Sequence, residues 1–186
     1  MKKYKELLED INTVAKKNLE KNGKLAPIAF VIKDTQMIAP ILLDFRAPQE
    51  IYLSCKYAGA IAKYLNADAI ILISDVAMRE YKSKEEEDFA AKNYSTESPL
   101  SYPENMRTDG IFFLVIDLET KKAECCMQLY EKKDDNFIFK NLDDFPETTG
   151  VGGRIQESVI EGYGLPVSKE EFDKYLKDKE LYGEKS

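Results

Sequence analysis

The chain is 186 residues long, with 44% hydrophobic residues, 33% charged residues and a formal net charge of −7. That is enough for one domain with a packed core, and too apolar for a disordered chain. The acidic balance disfavours non-specific binding to nucleic acid or an anionic membrane, and the complete lack of histidine excludes Ser-His-Asp and Cys-His nucleophiles, His-ligated zinc and a histidine general base.

Tyr4, Leu7, Leu8, Ile11, Val14, Ala15 and Leu19 recur at helical spacing, which predicts an amphipathic helix ended by Asn22-Gly23. Pro27 to Lys33 and Met37 to Leu43 flank the polar Asp34-Thr35-Gln36 and read as a hairpin, with Phe30, Ile32, Ile38 and Leu42 as its core candidates. Pro48 then opens a second helix, where its missing N–H does no harm, and Ile51, Cys55, Ala58, Ala62 and Leu65 share one face of it.

The run Ala69 to Ile73 and the run Ile111 to Ile116 are apolar throughout and predict two central strands. Between them lies a long polar connection, 79–108, holding Pro99, Pro103 and Arg107, the kind of segment in which function concentrates. Glu124 to Tyr130 alternates, with Cys125, Met127 and Leu129 on one side, and reads as a strand buried on one face. Phe137 to Phe139 is a further short strand, and Gly150-Val-Gly-Gly-Arg154 precedes a short helix. Ser168 with Glu171 is a capping-box pair for a final helix carrying Phe172, Tyr175 and Leu176, and 182–186 reads as a frayed tail.

Short links between consecutive strands imply an α+β fold: a single domain over 1–186, with a largely antiparallel sheet of five or six strands and helices packed on one face. No apolar run reaches the length of about 20 residues that spans a bilayer. Charges interrupt the opening segment where a signal peptide would be apolar, and three cysteines, an odd number, fit a reducing compartment. The expectation is a cytoplasmic protein without membrane contact.

Candidate chemistry is sparse. Adjacent Cys125 and Cys126 point to opposite faces of a strand, which disfavours a redox pair. The glycines before Arg154 offer backbone N–H groups to an anion, but they lack the Lys-Ser/Thr of a phosphate loop, so a plain turn is favoured. Side-by-side parallel strands would gather Asp75 and Asp117 at one sheet edge, where carboxylates hold Mg²⁺. Antiparallel pairing instead sets Asp75 beside Asp109 and Arg107, in an ion-pair cluster with Arg79, and this second arrangement is favoured. The candidate ligand-binding residues are Asp75, Arg79, Arg107, Asp109 and Arg154; no catalytic residue, metal set or cofactor is assigned.

The block Asp68 to Met78, then Pro99-Leu-Ser-Tyr-Pro-Glu-Asn-Met-Arg107, then the strand from Ile111 resembles a group of uncharacterised bacterial and phage proteins. In that group a strand ends in Ser-Glu-Ala-Trp, and a Pro-Ser-x-x-Pro-x-Arg segment precedes the next strand. Here Asp75 stands for Glu and Met78 for Trp. The resemblance implies a phage or mobile-element accessory context and no mechanism.

The expected function is that of a non-enzymatic accessory protein acting through a protein partner or self-association as a homo-oligomer. The alternative is a nucleotide or small-anion binding domain, extending to a metal-dependent hydrolase that uses carboxylates, with arginine forks gripping phosphate. A third reading, an acidic decoy imitating phosphate, draws on the net charge and on Glu85 to Asp88.

Overall fold

In a computed structural model, the described residues are 2–79, 83–94, 107–133, 136–140, 148–149, 153–166 and 168–170. After a short 3₁₀ turn at Lys2–Tyr4, helix α1 runs over Lys5–Asn22, and Gly23 ends it in the left-handed conformation (φ 69°), donating its N–H to the Leu19 carbonyl at 2.8 Å. Glycine suits that cap because it carries no Cβ to clash. Strands β1 (Ile28–Lys33) and β2 (Gln36–Leu42) form the expected hairpin. Its tight turn puts Asp34 and Thr35 at φ 48° and 63°, the twist that a two-residue hairpin loop needs. The Asp68 carboxylate accepts the Asp34 backbone N–H at 2.7 Å and ties the turn to the sheet.

Helix α2 (Pro48–Tyr64) starts at its proline and is followed by strand β3 (Ala69–Arg79), helix α3 (Lys84–Tyr94) and strand β4 (Arg107–Asp117). Strands β5 (Ala123–Lys133), β6 (Asn136–Phe139) and β7 (Thr148–Thr149) come next, before helix α4 (Gly153–Tyr163). The strand order is β2-β1-β3-β4-β5-β6, every pairing is antiparallel, and the two-residue β7 also pairs with β5. The chain is thus an α+β domain built on an antiparallel sheet.

Four sequence expectations are corrected in detail. The helices cover both faces of the sheet: α2 and α4 pack on one through Cys55, Ala58, Ile61, Ala62 and Val159, and α1 packs on the other through Leu8, Ile11, Ala15 and Leu19. Strand β5 is therefore buried on both sides, with Gln128 fully inaccessible. The 79–108 segment is not all loop, since β3 and β4 stay paired out to Arg79 and Arg107 and the connection contains α3. In the hairpin, Ile38 (42% exposed) and Leu42 (57%) lie outside the core, whereas Ile41 is buried. A register shift, from Val31 opposite Ala39 to Ile32 opposite Met37, takes Ile38 out of the alternation.

The final helix over 171–176, the glycines 150–152 and the tail 182–186 lie outside the described residues. No described helix is long and apolar enough to cross a membrane.

On the α2–α4 face the two helices meet backbone to backbone. A Cβ at Gly162 would stand 1.7 Å from the Lys56 carbonyl oxygen, and one at Gly59 would stand 2.0 Å from that of Val159. The Lys56 ammonium and the Glu161 carboxylate form an ion pair across the same contact.

Candidate functional site

The register of β3 and β4 decides which candidate residues meet. Asp75 is opposite Ile111, Ala77 opposite Asp109 and Arg79 opposite Arg107. Paired residues share a face and alternate residues return to it. Asp75, two positions after Ile73, and Asp109, two before Ile111, therefore lie on the α1 face at the connection end of the strands. Asp109 is also opposite Tyr130 of β5, whose hydroxyl donates to Asp75 Oδ1 at 2.6 Å. Burial pushes the Asp75 carboxyl above its ordinary value; the Tyr130 bond opposes this, the charge of Asp109 adds to it, and the Leu25 backbone N–H opposes it again.

Four of the five candidate residues thus belong to the last rows of one strand pair, as antiparallel pairing requires. Arg154 does not join them. It lies in the first turn of α4, 6.0 Å over the ring of Tyr52 on α2, against the opposite face of the sheet. The Asp75–Asp117 metal arrangement is overturned as well. Asp117 is opposite Ala69, about 20 Å of strand away from Asp75 at the usual rise per residue. Its Oδ1 accepts the Thr120 N–H at 2.7 Å and the Thr120 hydroxyl at 2.8 Å. Burial acts to raise the Asp117 carboxyl, but these bonds outweigh it and leave the group below its ordinary value. Among the described residues no three metal-ligating side chains converge.

Three features were not anticipated from the sequence. At the Asp117 end lies a polar cleft of about 280 Å³ lined by Lys3, Asn66, Asp68, Asp117, Glu119 and Tyr163. The Lys3 ammonium there is pushed above its ordinary value by the Tyr4 hydroxyl, helped by the charges of Asp68 and Asp117.

The second is an amide pair inside the apolar core under α1. Asn12 Nδ2 donates to Gln128 Oε1 at 3.1 Å, and Gln128 Nε2 donates to the carbonyls of Leu129 and Lys140. Neither residue carried a signal, since Asn12 sits in a helix of mixed polarity and Gln128 in an alternating strand.

The third is the incomplete cover of the α1 face. Asn12 bonds to Gln128 of β5, and the Lys16 ammonium lies 5.0 Å over the Phe139 ring of β6. These contacts fix one flank of α1 toward β5 and β6. The other flank, at helical spacing away, carries Leu7 and the 58% exposed Val14 and faces the hairpin. The hairpin residues on this face are Ile28 opposite Leu42, Phe30 opposite Pro40 and Ile32 opposite Met37. Ile32 is buried and Ile28 and Phe30 are half-buried, while Met37, Pro40 and Leu42 are exposed. An apolar shelf of two strands is left beside the helix.

β2 is the outer strand of the sheet, and its backbone discourages strand addition. The Leu43 N–H turns inward to the Pro27 carbonyl at 2.9 Å, so alternation turns residues 40 and 42 outward. Position 40 is proline, which has no N–H to offer an incoming strand. The side chains of the shelf, rather than its edge, are the surface that a neighbour can use.

The chain matches no protein-family model, no curated protein and no solved structure.

Proposed function

We propose that this chain is a non-enzymatic binding protein that acts by self-association or by holding a protein partner. The observation that carries this reading is the apolar shelf of Met37, Pro40 and Leu42 beside Val14, exposed on a sheet whose opposite face is closed by two helices. Contiguous exposed apolar surface rimmed by polar residues marks interaction sites in folded domains. The resemblance noted in the sequence supports a phage or mobile-element setting, and the composition supports a cytoplasmic one.

Native mass spectrometry of the gently purified protein tests the reading. The expected result is a homo-oligomer or a stoichiometric protein complex that Leu42→Glu dissolves without loss of helical and strand signal. A bare monomer at every concentration, in both wild type and variant, overturns it.

A second reading is favoured by the register that gathers Asp75 and Asp109 with Arg79 and Arg107 at the connection end: a nucleotide or small-anion site, extending to metal-dependent hydrolysis. Under it, a nucleotide panel with Mg²⁺ raises the melting temperature, because a ligand that binds only the folded state stabilises it, and Asp75→Asn changes that rise. An unchanged melting temperature across the panel removes it.

A further inference from the structure

We draw no further inference here: the strongest candidate, the polar cleft at the turn end of the sheet lined by Lys3, Asp68, Asp117 and Glu119, carries nothing, because Asp68 and Asp117 already accept hydrogen bonds from Asp34 and Thr120 and no second feature at the cleft points to a ligand.

Discussion

The two faces of this sheet are built from the same strands, yet they end in different conditions. On one, α2 and α4 lie so close that glycine is required at Gly59 and Gly162, and the core beneath them is a continuous apolar cluster from Ala29 to Val159. On the other, α1 is the one helix among the described residues that packs against the strands. A helix is about 10 Å across and strands are about 4.8 Å apart, so one helix roofs two or three strands of six. The interior under α1 also admits polar groups: Asn12, Gln128, and the Tyr130–Asp75 contact at its margin. Strand alternation supplies two apolar surfaces, while the helices packed on each decide how much of it is hidden.

The largest expected loss of stability is at the glycines. Gly162→Val forces α2 and α4 apart, and overpacking of this kind costs about 3 kcal/mol; urea unfolding should show that loss, and a cost below about 1 kcal/mol would mean that the helices are not in backbone contact. Next comes the amide pair. Asn12→Ala strands Gln128 Oε1 inside the core, for about 1–3 kcal/mol. The double variant Asn12→Leu/Gln128→Leu should lose less than the two single losses added together, because no orphaned amide oxygen remains.

The two aspartates respond to pH with opposite signs. Asp75 has a raised carboxyl in the folded protein, so the folded state holds its proton more tightly than the unfolded chain does. Its contribution is present at acid pH and is lost as pH rises from the ordinary carboxylate range through the raised value. Asp75→Asn should therefore abolish that fall and be the more stable protein at neutral pH, as followed by melting temperature against pH. Asp117, held below its ordinary value, has the opposite sign. It stabilises above the ordinary range and ceases to as pH falls through its lowered value, so Asp117→Asn should lose stability at neutral pH and converge with wild type in acid.

The smallest effect on stability belongs to the open shelf. Leu42→Asn should change the unfolding free energy by no more than about 0.5 kcal/mol, as surface changes usually do, while weakening association measured by sedimentation. A large stability loss would show that Leu42 is buried within a single chain.

Much of the architecture was legible because local signals agreed with tertiary needs. The periodicity of Leu8, Ile11, Ala15 and Leu19 gave α1, Gly23 its end, and the unbroken runs at 69–73 and 111–116 the central strands. What failed depended on layers that no local pattern records. Leu42 has the composition of a core residue, yet it is exposed, and among the described residues α1 is the one helix packed on its face. Arg107 to Gly110 carries no apolar side chain, yet it opens β4 because Val76 to Arg79 is there to pair with it. At the site, the placement of Asp75 and Asp109 followed from antiparallel pairing alone. The separation of Arg154 did not, because it depends on α4 crossing to the far face. Tyr130 was missed as the partner of Asp75, since the register between β4 and β5 is not written in either strand.

The α2–α4 contact has a consequence for how the molecule is made. The ion pair across it joins residues 105 apart in the chain. At synthesis rates of about 5–20 residues per second, α2 leaves the ribosome roughly 5–20 s before the helix it needs. During that interval the nascent sheet shows one apolar face with half of its lid missing. The vulnerable species in this protein's life is thus a partly synthesised one, and variants that loosen the glycine contact should lower the yield of folded protein during translation more than they shorten the lifetime of molecules already folded.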